Sequence, residues 1–96
     1  MNKDDYINLL QQHADEMREN YGLRSMTMFG SVARGDDNEN SDVDLFVDME
    51  PKITTITRLK EFLEKRLNRS VDLVRKHKHL NPFLLKEIEK DGAIIF

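Results

Sequence analysis

The sequence predicts an α/β fold, a small β-sheet with helices packed on one face, and three observations carry that expectation. Apolar residues at helical spacing alternate along the chain with short runs of strand-like character. Glycines stand where one pattern gives way to the next. The 96 residues, 39% of them hydrophobic, supply one small core and not two, so a single domain over 1–96 is expected.

Ile7, Leu10, Ala14, Met17 and Tyr21 recur at steps of three and four and predict one helix from about Asp4 to Asn20. Asp4 and Asp5 suit its N-terminal dipole, and Gly22 stops it. Leu23 to Phe29 reads as a buried strand ending at Gly30. Ser31 to Gly35 has room for a helical turn or two, and the polar, acidic stretch Asp36 to Ser41 reads as a loop. Asp42 to Asp48 alternates as a second strand, with Val43, Leu45 and Val47 on one face and Asp42, Asp44, Phe46 and Asp48 on the other. Pro51 marks the next boundary. Beyond it Ile53, Ile56, Leu59, Phe62, Leu63 and Leu67 form the apolar stripe of a helix over about Thr54 to Leu67. Val71 to Val74 is a short strand and Arg75 to His79 a basic link. Asn81 and Pro82 are the N-cap and first residue of a last helix, which runs to about Lys90 and stops at Gly92. The apolar tail Ala93 to Phe96 is placed to add an edge strand.

Composition removes several function classes. Fifteen Lys and Arg against 18 Asp and Glu leave a formal charge of −3, which argues against a broad nucleic-acid face. The absence of cysteine excludes disulfide scaffolds, thiolate metal sites and cysteine nucleophiles. No apolar run approaches the roughly 20 residues of a membrane helix, and no signal peptide is visible, so a cytoplasmic location is expected.

The chemistry concentrates in Phe29-Gly30-Ser31-Val32-Ala33-Arg34-Gly35 followed by Ser41-Asp42-Val43-Asp44-Leu45. A strand that ends in a Gly-Ser turn and opens a helix leaves unpaired N–H groups for an anion. Gly30 lets a phosphate approach the backbone, and Ser31 donates from both its hydroxyl and its N–H. Arg34, a turn further on, either adds a guanidinium to that anion or makes a surface ion pair. Asp42 and Asp44, two apart on a strand, project from one face, and paired hard oxygens suit Mg²⁺ together with substrate phosphates. Asp72 opens the next strand and falls within their reach if that strand pairs beside the second. Three carboxylates facing a phosphate site is the layout of two-metal phosphoryl or nucleotidyl transfer. Ser41 either contacts nucleotide or shapes the turn before the strand. Asp48 shares the parity of Asp44 but lies about 13 Å from it at strand rise, too far for the same ion. His77 and His79 read as part of a solvated basic loop or as a contact for phosphate or an acidic partner, since flanking cations repel a metal.

In this ordered set the chain resembles the polymerase-β-type nucleotidyltransferases, and within them the minimal nucleotidyltransferases of the MNT group, the MntA-like antitoxins. The resemblance implies a mixed β-sheet with flanking helices, and NTP phosphates on Gly30 and Ser31. It also implies two Mg²⁺ ions at Asp42 and Asp44, with Asp72 completing one site and helping to deprotonate the acceptor hydroxyl. One departure is Val32, where many relatives carry Arg or another polar residue, so that a phosphate or partner contact is expected to be missing.

From the length of 96 residues the extra domains that hold a nucleic-acid or drug acceptor in larger relatives are not expected. The resemblance implies a HEPN-domain toxin as partner and acceptor, with AMP moved from ATP to a toxin tyrosine. Two alternatives stay open: an antitoxin that neutralises by binding alone, and a transferase acting on a small molecule of the aminoglycoside type.

Overall fold

In a computed structural model covering residues 1–96, nine elements follow one another. They are α1 (Lys3–Gln12), α2 (Ala14–Tyr21), β1 (Ser25–Phe29), α3 (Gly30–Arg34), β2 (Val43–Asp48), α4 (Ile53–Leu67), β3 (Val71–Arg75), α5 (Pro82–Asp91) and β4 (Ala93–Ile94). The four strands form one sheet in the order β3-β2-β1-β4. β1 runs antiparallel to β2 and β4, whereas β2 and β3 are parallel and joined by α4, so the sheet is mixed.

The alternation of β2 sorts its side chains as expected. Val43, Leu45 and Val47 are at most 1% exposed and sit in a core cluster with Met26 and Met28 of β1 and Leu59, Leu63 and Leu67 of α4. Tyr6 and Leu10 of α1 and Met17 of α2 close that cluster. The opposite face holds Asp44, Phe46 and Asp48, all half-buried. It is not wholly open. Helix α5 lies against it, Ile88 is 5% exposed, and Gly92 packs beside Thr27, the cross-strand neighbour of Phe46.

The structure corrects the first helix, which is two. At His13 (φ −99°, ψ 9°) the N–H turns back to the Leu10 carbonyl three residues earlier, at 3.1 Å, and the α-helical ladder breaks. The ring of His13 then stands edge-on to Phe62 at 5.5 Å, and its Nδ1 lies 3.3 Å from Glu16. Within α1, Tyr6, absent from the sequence-derived stripe, is buried while Ile7 is only half-buried. A capping box between Asn2 and Asp5 starts α1, and Gly22 in the left-handed region (φ 66°) ends α2. A second correction concerns Ile53, which is 81% exposed and outside the apolar stripe of α4. Elsewhere the boundaries agree closely: Asn81 caps α5 by accepting from the Phe83 N–H, and the tail adds β4 at the sheet edge. No helix is long and apolar enough to cross a membrane.

Candidate active site

β1 ends where α3 begins, and Gly30 makes the corner with φ +77°. That value favours glycine for a conformational reason, and space adds a second. A Cβ on Gly30 would overlap Asp44 Oδ2 and stand 3.0 Å from Asp44 Cγ. The backbone of the Gly-Ser turn is thus pressed against the Asp44 side chain. This follows from the ladder, since Phe29 and Asp44 are register partners between β1 and β2. Ser31 follows half-buried at the start of α3. Val32 is 1% exposed in the core, so a side chain at this position points away from the turn and its hydrophobicity serves packing.

The parallel pairing of β2 and β3 places Asp44 and Asp72 side by side as register partners. The sequence required this neighbourhood and had no means of displaying it. Asp42 stands one residue before the ladder, and the Val43 N–H bonds to the Ser70 carbonyl at 2.9 Å. Asp42 and Asp72 are exposed, while Asp44 is half-buried between them and Gly30. The Asp44 carboxyl is pushed up from 3.8 to about 6 by burial first, then by the charges of Asp72 and Asp42, with Arg34 opposing. Three carboxylates therefore share one electrostatic neighbourhood, with Arg34 the one cation that opposes their repulsion at Asp44. No three His, Asp or Glu side chains stand together closely enough to hold a metal ion by themselves. The donor set nonetheless fits Mg²⁺, which takes one or two carboxylates and completes its shell with phosphate oxygens and water. A divalent cation would also relieve the repulsion that raises Asp44.

Arg34 and Ser41 both have protein partners in this structure. Arg34 pairs with Asp36 at 3.1 Å and with Asp91 of α5 at 3.7 Å, and its charge reaches Asp44. Ser41 accepts the Asn38 N–H on its hydroxyl at 3.0 Å and so shapes the loop before Asp42. Asp48 lies at the far end of β2, paired with Arg24 at 3.0 Å, outside the carboxylate group. His77 Nδ1 accepts the His79 N–H at 3.1 Å, and both histidines are exposed. The residue that sequence reasoning missed is Arg69, which binds the loop preceding Asp42 at several points. Its only signal was position, just before the strand that carries Asp72. Beside the carboxylate face, a groove of about 480 Å³ runs between β-sheet and α5, lined by Thr27, Phe46, Lys76, Leu85, Ile88 and Ile94 among others.

A strand-turn-helix corner pressed on one of three neighbouring carboxylates is an arrangement that would suit phosphoryl or nucleotidyl transfer. Residues 11–96 match the family described as polymerase beta nucleotidyltransferase, and the chain belongs to it. It is a nucleotidyltransferase of the minimal, MntA-like kind. It is 44% identical over 70 residues to the protein adenylyltransferase MntA of Thermococcus cleftensis, covering 71% of each chain. It is 37% identical over 87 residues to an inferred protein adenylyltransferase of Methanocaldococcus jannaschii, covering 86% of this chain and 87% of the other. Among solved structures, an inferred minimal nucleotidyltransferase superposes with a TM-score of 0.76 at 29% identity, over 97% of this chain and 95% of that one. A chain of the solved complex of a tri-AMPylated Shewanella oneidensis HEPN toxin with MNT antitoxin shares the fold, with a TM-score of 0.65 at 18% identity over 94% of this chain and 71% of that one.

Proposed function

We propose that this chain is a Mg²⁺-dependent protein adenylyltransferase that moves AMP from ATP to a hydroxyl of a HEPN-type toxin, a tyrosine by analogy, and thereby acts as its antitoxin in the cytoplasm. The observation that carries the reading is the contact of Gly30 with Asp44, because it sets the backbone of the Gly30-Ser31 turn against the carboxylate group. Similarity to proteins named as adenylyltransferases supports the nucleotide, and similarity to an AMPylated toxin complex supports the acceptor.

Asp42 and Asp44 would hold Mg²⁺, with Asp72 completing a second position. The ions would supply neutralisation of the charge that develops on the triphosphate. The chain's own residues do the remainder. Gly30 and Ser31 receive phosphate oxygens on backbone N–H groups and on the Ser31 hydroxyl. Arg34 is near enough in charge to assist, provided that it leaves Asp36 or Asp91. Asp72, exposed and beside Asp44, accepts the proton of the acceptor hydroxyl. The freed oxygen forms a bond to the α-phosphorus, the bond from that phosphorus to the β-phosphate oxygen breaks, and pyrophosphate leaves.

The test is transfer of label from α-labelled ATP, in Mg²⁺, to a cognate HEPN partner, beside the Asp42→Asn, Asp44→Asn double variant. Label on the partner with wild type alone establishes the activity. Tight binding and full neutralisation by the double variant, with no label moved by wild type for any of the four NTPs, would replace this reading with an antitoxin that acts by occupancy.

A further inference from the structure

We infer that Arg69 is the positioning residue of the site: through three hydrogen-bonded contacts with the loop Asp36 to Ser41 it fixes where Asp42 stands relative to Asp44 and Asp72. This rests on the reading of Asp42 as a metal ligand.

The loop lacks any apolar side chain, since Asp36, Asp37, Asn38, Glu39, Asn40 and Ser41 are all polar. It has no hydrophobic means of holding a shape. Its own hydrogen bonds are local: Ser41 to Asn38, Asn38 to Ser41, Asn40 to Asn38, and Asp36 back to Ser31 and Arg34. The ties to distant parts of the chain come from one side chain. Arg69 Nε donates to the Ser41 carbonyl at 2.8 Å, Nη1 to Asp37 Oδ2 at 2.9 Å, and Nη2 to the Asn38 carbonyl. Nη1 also donates to the Tyr6 hydroxyl at 3.2 Å, and Tyr6 is 5% exposed in the core. The guanidinium is thus braced from behind by packed structure and grips the loop in front.

The grip sits next to the ligand. Ser41 is the residue before Asp42, and the residue after it, Val43, is held by the Ser70 carbonyl. Residues 69 and 70 therefore clamp Asp42 on both flanks, and two positions on stands Asp72. The charge of Arg69 is paired with Asp37 of the loop at 2.9 Å. A planar fork using all three nitrogens cannot be reproduced by an ammonium, so Arg69→Lys keeps the charge and loses the geometry.

The test compares wild type, Arg69→Lys, Arg69→Gln and the milder Tyr6→Phe, which keeps the ring and removes one hydroxyl acceptor. Two readouts are taken: Mn²⁺ binding followed by the electron paramagnetic resonance of the free ion, with and without a non-hydrolysable ATP analogue, and amide hydrogen exchange. Arg69→Lys is expected to weaken Mn²⁺ binding about 10-fold or more, in the range seen when outer-shell partners of metal ligands are removed. Exchange should quicken at residues 37–43 and stay unchanged in α4 and β1, with Tyr6→Phe intermediate. Unaltered exchange in that loop for both Arg69 variants overturns the proposal whatever the metal does. Loop exchange that quickens with Mn²⁺ affinity unchanged overturns it too. If wild type itself fails to bind Mn²⁺ at Asp42 and Asp44, the functional reading falls, and the exchange data still decide whether Arg69 sets the loop.

Discussion

The two faces of β2 are made from alternate residues of one strand and obey opposite rules. Val43, Leu45 and Val47 are removed from water and satisfied by neighbours on every side. One residue out of phase, Asp44 is pressed against a glycine, half-buried, and surrounded by charges of its own sign. The first face holds the fold together. The second is electrostatically unfavourable in the protein alone and, on the proposed reading, would become favourable with a cation and phosphates present. A strand with period-2 alternation lets both coexist, because a change on one face barely touches the packing of the other.

The sharpest break in this comparison is a pair of neighbouring substitutions. On the proposed reading, Asp44→Asn should lower nucleotide transfer by about 100-fold or more, since it removes a carboxylate that would hold the metal ion. Its melting temperature should hold or rise, because the variant loses a repulsion. Leu45→Ala should do the reverse in kind, costing about 2–5 kcal/mol in denaturant unfolding through the cavity it leaves. Residual activity of that variant, scaled to the folded fraction, should be near normal. A large stability loss in Asp44→Asn would mean that the acidic face supports the fold.

Gly30→Ala probes the seam between the faces. The new methyl meets Asp44 Oδ2 and the backbone must hold φ +77° with a side chain attached. A cost of about 1–3 kcal/mol is expected in unfolding. Transfer should fall further than that loss explains, because Asp44 is displaced. Serine at Gly22, where φ is 66° but nothing lies within 4 Å of a new Cβ, should cost stability alone.

The pH dependence carries the same contrast into solution. Asp44 ionises at about 6 in the folded chain against an ordinary 3.8, so the folded state holds that proton more tightly than the unfolded one. Its stabilising contribution is full below about pH 4 and lost as pH rises through about 6. Wild type should therefore gain stability relative to Asp44→Asn as pH falls from 7 toward 4. Asp37 works in the opposite sense: hydrogen bonding to Arg69 lowers its pKa, and its contribution disappears as pH falls through that lowered value. Thermal melts of both chains across this range check the difference, and parallel curves would count against the raised value.

How much of this could be read beforehand differs between the two faces. The strand pattern, the Gly-Ser corner and the Asp42, Asp44 pair are local, so spacing and parity reveal them. The adjacency of Asp72 depends on β2 and β3 being parallel neighbours across α4, which no local pattern encodes. The split at His13 escaped because the apolar spacing is nearly continuous through it, while the ring that His13 meets, Phe62, comes from α4. Arg69 escaped for the same reason. Its partners are 28 to 63 residues away in the chain, and a lone arginine between a helix and a strand carries no motif.

The smallest expected effect separates parity from membership in the site. Asp48 points to the same side of β2 as Asp44, yet its carboxylate meets Arg24 at 3.0 Å at the opposite end of the strand, where both groups are partly exposed. Pairs of this kind contribute about 0–1 kcal/mol. Asp48→Asn should therefore shift stability within that range and leave transfer, Mn²⁺ binding and the pH behaviour assigned to Asp44 unaltered. A loss of transfer in this variant would extend the functional face along the whole strand, past Phe46 and the groove beside α5. Acceptor contacts would then have to be sought there, and the carboxylate group around Gly30 would be only one end of a longer surface.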